Sequence, residues 1–77
     1  MNLDYRVEIL TSALDARIKE VTEYQVNIDN FRLAIDKIGD DVDLQPFREH
    51  LQNLLGSSIL EQRKAQIMLD VIRSQLE

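Results

Sequence analysis

Apolar residues recur at alternating spacings of three and four along the first half of the chain. One series, seven residues apart, holds Val7, Leu14, Val21, Ile28 and Ile35, and the other holds Leu3, Leu10, Arg17, Tyr24, Phe31 and Ile38. Such a seven-residue repeat is typical of a coiled-coil helix. Asn2 is a suitable N-cap, and Gly39 directly after the last apolar position is a common terminator. The pattern predicts helix 1 over about residues 3–38 and a turn over 39–43.

A second amphipathic segment follows this turn. Asp43 is a suitable N-cap, and Pro46 falls in the first helical turn, where its missing N–H is tolerated. Apolar residues then recur at helical spacing, less strictly in sevens, at Phe47, Leu51, Leu54, Leu55, Ile59, Leu69, Ile72 and Leu76. The pattern predicts helix 2 over about residues 44–76. Because the connector is short, we expect a single all-α domain over residues 1–77, a long antiparallel helical hairpin resembling a coiled coil.

The stretch "LLGSSILEQ" allows two structures for the second half. Ser58 and Glu61 match a capping box, and Gly56 is a suitable end for a preceding helix, which would give three helices with a break at 56–58. However, the apolar pattern continues nearly in phase through Leu55 and Ile59. A glycine inside a helix costs only about 1 kcal/mol. We therefore predict one continuous helix, whose small residues form a seat for Tyr24 or for a partner helix.

Arg17 is the one charged residue in the seam of the first helix. Antiparallel pairing about residue 41 places it opposite residues 61–65. In the functional interpretation, Arg17 makes a contact specific for a partner. In the two structural interpretations, Arg17 forms an ion pair with Glu61, or its stem packs in the seam while its head reaches water. In each case a polar group in an apolar seam helps to fix register and oligomeric state.

The size of the chain indicates that it associates with itself. A chain of 77 residues buries a small core, and with no cysteine it has no disulfide to add stability. Ile18, Val26 and Leu33 also lie off the seam, which gives helix 1 a broader apolar surface than a two-stranded coiled coil uses. We expect a homodimeric four-helix bundle. Its interface and core are predicted to comprise Val7, Leu14, Arg17, Val21, Tyr24, Ile28, Phe31, Leu51, Leu55, Ile59, Glu61, Leu69 and Ile72.

Known signatures of catalysis and metal binding do not occur in the sequence. The residue three before His50 is Phe47, so the Glu-x-x-His pattern of carboxylate-bridged bundles is missing. The acidic run at 40–43 does not begin a calcium loop, because its sixth position is Gln45 rather than glycine. The chain has neither a cysteine nucleophile nor a glycine-rich phosphate loop. We expect no enzymatic activity, no metal and no cofactor.

The charge pattern argues against nucleic acid as a partner. The net charge is −5, and three acids with no base lie at 39–43. The bases of the second half, Arg48, Arg63, Lys64 and Arg73, form no dense patch. There is no signal-peptide pattern and no apolar run of about 18 residues, so we expect a cytoplasmic protein without a membrane partner.

The leading hypothesis is a non-enzymatic protein–protein interaction module, such as a small adaptor, assembly factor or inhibitor. Its partners are expected to be a second copy of itself and a protein that the sequence does not identify. The alternative is a regulator linked to nucleic acid, either a weak DNA binder or an acidic DNA mimic. A third hypothesis is a structural subunit of a larger particle, such as an accessory protein of a phage.

Overall fold

The computed structural model describes the backbone of residues 3–77 and the side chains from Tyr5 onward. Helix α1 spans Leu3–Ile38, a short 3-10 turn spans Val42–Leu44, and helix α2 spans Gln45–Leu76. The described residues contain two long helices and no strand, which confirms the predicted all-helical hairpin. The predicted cap Asn2 and the side chain of Leu3 lie outside the described part.

Gly39 ends α1 as the sequence predicts. Its φ of 52° is the left-handed conformation that glycine adopts without a steric penalty. Its N–H donates to the carbonyl of Ile35 at 3.2 Å, and the N–H of Asp41 donates to the carbonyl of Ile38 at 3.1 Å. These two bonds satisfy carbonyls at the end of α1 and turn the chain back on itself.

The prediction that Asp43 is the N-cap of helix 2 is wrong. Leu44 stands at that position without a side-chain cap, and the acid that caps is Asp41, at the start of the 3-10 turn. The Asp41 carboxylate accepts a bond from the backbone N–H of Asp43 at 3.0 Å and thereby caps the 3-10 turn. Helix α2 begins only at Gln45, directly after that turn, and Pro46 lies in its first turn. The Gln45 amide also donates to the carbonyls of Gly39 and Asp41, at 3.1 and 2.8 Å.

Helix α2 continues through Gly56, Ser57 and Ser58 without a break. The capping box at Ser58 and Glu61 therefore does not start a new helix. Gly56 is exposed, and a Cβ built on it would meet nothing within 4 Å. Gly56 thus provides no seat for Tyr24, and of the three small residues only Ser58 is partly buried.

The two helices pack along one continuous seam. The buried apolar residues in the described part are Ile28, Ile35, Leu51, Ala65, Leu69 and Ile72. Most half-buried and all buried positions of α2 follow seven-residue spacing, in the series Arg48, Leu55, Gln62, Leu69, Leu76 and the series Leu51, Ser58, Ala65, Ile72. The second repeat is as regular as the first. It was obscured in the sequence because arginine, glutamine and serine occupy three of its positions.

The hairpin is a rod with one layer of helices. Its Cα atoms extend over 63 × 15 × 14 Å, and their radius of gyration is 17.7 Å. A compact domain of this length would have a radius of gyration of about 11.5 Å. The rod therefore has a single buried seam, and most of the surface of each helix faces outward.

The two glycines predict opposite effects of the same substitution. We expect Gly39→Ala to lower the free energy of unfolding by about 1–2 kcal/mol, because alanine is strained at positive φ. We expect Gly56→Ala to raise it by about 0.5–1 kcal/mol, because the site is helical and the methyl group meets nothing. Urea denaturation followed by circular dichroism measures both. Destabilisation by Gly56→Ala would show that this part of α2 is in contact with another group.

Candidate interaction surface

The residues predicted to form the interface and core comprise a buried group, a half-buried group and one exposed residue. Ile28, Leu51, Leu69 and Ile72 are buried between the chain's own two helices. Another group is half-buried, comprising Leu14, Arg17, Val21, Tyr24, Phe31, Leu55, Ile59 and Glu61. Val7 is 54% exposed. The buried members pack within the hairpin whether or not a second chain binds, so any second chain must contact other residues.

Arg17 forms its ion pair within its own helix. Its Nη1 lies 2.7 Å from Oε2 of Glu20, and the two side chains are 39% and 37% exposed. Glu61 pairs instead with Lys64 at 3.0 Å, so the Arg17–Glu61 ion pair considered above is not formed. The structure matches the other interpretation, in which the arginine stem packs at the seam and its head reaches the edge.

Gln62 makes the polar contact that joins the helices near their midpoint. Its amide nitrogen donates to the carbonyl of Val21 at 3.2 Å and to Oε1 of Gln25 at 2.9 Å. Antiparallel pairing had placed Arg17 opposite this part of α2, which is one turn away from the observed contact. Because a backbone carbonyl holds one fixed place on α1, this contact favours a single register of the helices.

Arg48 is a polar seam residue whose role the sequence did not reveal. It is half-buried near the connector, and its Nε is buried without a hydrogen-bond partner among the described residues. Its seven-residue spacing from Leu55 places it in the seam and would have been sufficient to locate it. An unpaired buried donor is unfavourable, so Arg48 weakens the seam near the connector.

One flank of the hairpin carries most of the exposed apolar side chains beside the seam. The residues that directly precede the seam positions of both series border the same flank in each helix, and the hydrogen bond of 3.0 Å between Arg6 and Gln75 joins the two helices on this flank. We call this flank the apolar face. Its apolar members are Ile9, Ala13, Ala16 and Ala34 of α1, and Phe47, Leu54, Met68 and Val71 of α2.

The opposite flank is polar and is suited to contact with water. The positions that directly follow the seam positions of α1 and α2 form this flank, and they are occupied mainly by Asp, Glu, Gln, Thr and Arg. Ile18 and Ile59 are its only large apolar residues in the described part. The asymmetry between the flanks singles out the apolar face as the candidate functional surface, because a large exposed apolar patch commonly marks an interaction site.

The apolar face consists of two apolar blocks separated by charges. The block near the connector contains Phe47 and Leu54, and the block at the open end contains Met68 and Val71. Between them lie the exposed or half-buried pairs Arg17–Glu20 and Glu61–Lys64. Each acid is neutralised by a base on its own helix, so the central charges do not exclude a partner by net charge.

Two shallow depressions are each lined by a single helix, one by residues 19–27 and the other by residues 45–52. Within the described part, no three His, Cys, Asp or Glu side chains cluster in a way that would hold a metal ion. Neither described helix has a stretch long and apolar enough to span a bilayer.

No protein-family model, no curated protein and no solved structure matches this chain. The surface described above is therefore the basis on which a function is proposed.

The Gln62 contact predicts a specific stability effect. We expect Gln62→Ala to lower the free energy of unfolding by about 1–2 kcal/mol, because it removes both cross-helix hydrogen bonds and side-chain packing. Gln52→Ala is the matched control, since Gln52 is exposed on the same helix and should change stability by less than about 0.5 kcal/mol. Thermal unfolding at one fixed protein concentration tests this. Equal effects of the two substitutions would contradict the proposed role of Gln62.

Proposed function

We propose that this protein is a non-enzymatic protein–protein interaction module that acts as a homodimeric four-helix bundle. The observation that carries the proposal is the single-layer rod with one flank rich in exposed apolar side chains. Helical bundles of this size bury each helix against two neighbours, whereas each helix of the hairpin has one. Pairing of two hairpins supplies the second neighbour.

The accessible surface area supports this proposal. The chain exposes 5848 Å². The scaling of surface with mass gives roughly 4,850 Å² for a folded monomer of 9 kDa. The excess of roughly 1,000 Å² is of the order that one protein buries in a standard protein–protein interface, which is about 800 Å² per partner.

A second set of apolar residues supports a role as an adaptor. Val26 and Leu33 point outward from α1, and Leu60 and Ile67 point outward from α2, and all four are about half exposed or more. Each pair is seven residues apart, which is about 10.5 Å along a helix. Pairing through the apolar face leaves these outward residues free. Because the two pairs face away from each other on opposite sides of the rod, we propose that each pair contacts a separate helix of a protein partner.

Sedimentation equilibrium tests the proposed assembly. We expect a mass of twice 9.0 kDa at micromolar concentration, with a thermal midpoint that rises with protein concentration. A stably folded monomer across that range would contradict the proposal. A gel-shift assay with duplex DNA at low salt tests the alternative function, binding to nucleic acid. A shift together with a monomeric mass would favour the alternative that links the protein to nucleic acid.

A further inference from the structure

We infer that the second copy binds on the apolar face, with the two connectors at opposite ends of the bundle. This inference rests on the proposed function and deepens it, because it names the occupant of the surface and its orientation. The choice of face follows from the contrast between the flanks. Burying the polar flank would remove many charged groups from water without partners, which is strongly unfavourable.

The dimensions of the apolar face suit a second copy of the same rod. The face runs the full length of 63 Å and is about as wide as two packed helices. A footprint of this length and width is roughly 900 Å², close to the 800 Å² or so that each partner buries in a stable complex. A second hairpin has the same length and width, so it covers the face from end to end.

The side chains on the face differ in size between the two helices. On α2 the apolar members are large, as at Phe47 and Met68, whereas on α1 most are alanines, as at Ala13 and Ala34. With the connectors at opposite ends, the two-fold axis runs across the rods, so α1 of one copy lies over α1 of the other and α2 lies over α2. The alanines let the two α1 helices approach closely, while the large side chains of the two α2 helices interdigitate.

Electrostatics select between two symmetric arrangements: a two-fold axis along the rod places the connectors at the same end, and an axis across the rod places them at opposite ends. Each connector has three exposed acids, Asp40, Asp41 and Asp43, and no base between residues 39 and 43. Connectors at the same end would place six carboxylates on adjacent rods, whose helix axes are about 8–10 Å apart, a distance comparable with the screening length of about 8 Å at physiological salt. Connectors at opposite ends lie a rod length apart, where their repulsion is fully screened.

Charge substitutions test the face. We expect Leu54→Glu to raise the dissociation constant of the dimer by about 30-fold or more, because it places an unpaired carboxylate in the interface. Leu33→Glu makes the same change at an exposed leucine on the outward surface of α1, and we expect a change of less than about threefold. Val71→Glu, at the other end of the apolar face, provides an independent second variant. Circular dichroism verifies that each variant remains helical.

A distance between connectors tests the orientation. The chain has no cysteine, so Val42→Cys gives one labelling site, at a residue that is 82% exposed and carries no charge. Pulsed electron resonance on the nitroxide-labelled dimer measures the distance between the two labels. We expect a distance comparable with the rod length of 63 Å. A distance below about half of that length would place the connectors at the same end and overturn the inferred orientation.

The outcomes separate this inference from the function on which it rests. A dimer that tolerates both Leu54→Glu and Val71→Glu overturns the assignment of the face and leaves the proposed dimer intact. The same holds for a dimer that Leu33→Glu dissociates in their place. A monomeric wild-type protein overturns both proposals. Dissociation by the two apolar-face variants together with a long label distance supports the inference.

Discussion

The packing of α1 on α2 along one seam is the constraint on which the rest of the structure depends. Two helices can bury one stripe of each other, and in this chain that stripe includes Ile28, Leu51, Leu69 and Ile72. In the described part, the apolar residues that do not belong to this stripe lie on a flank or on the outward side of the rod. The distribution of those residues between the two flanks, rather than any pocket or reactive group, is what distinguishes one side of the molecule from the other.

Polar residues within the seam add specificity to a packing pattern that could otherwise slide. A seven-residue repeat is nearly unchanged when one helix shifts by one heptad, so leucines and isoleucines alone define the register weakly. Gln62 bonds to one carbonyl and one side chain of α1, and this contact is lost on any shift. Arg17 and Arg48 are half-buried at seam positions, where long arginine stems cover apolar surface, but the unpaired Nε of Arg48 opposes packing near the connector.

The sequence predicts the architecture well because the three features that determine it are local. The heptads of α1, the stop at Gly39 and the position of Pro46 are each decided by neighbouring residues. Contacts between the helices were predicted less well. The partner of Arg17 depends on rotamers and on a register known only to within a turn, and Glu20 on the same helix was closer than Glu61. The apolar face is hidden in the sequence because arginine, glutamine and serine occupy three seam positions of α2.

The single connector has a consequence for how the chain folds. Sequence separation across the hairpin grows from 6 residues for Gln45 and Gly39, through 41 for Gln62 and Val21, to 69 for Arg6 and Gln75. Each contact that forms shortens the loop that the next contact must close, so assembly proceeds as a zipper from the connector outward. The open end is the last part to form and the first to fray. Its backbone amides will therefore exchange with solvent before those beside the connector.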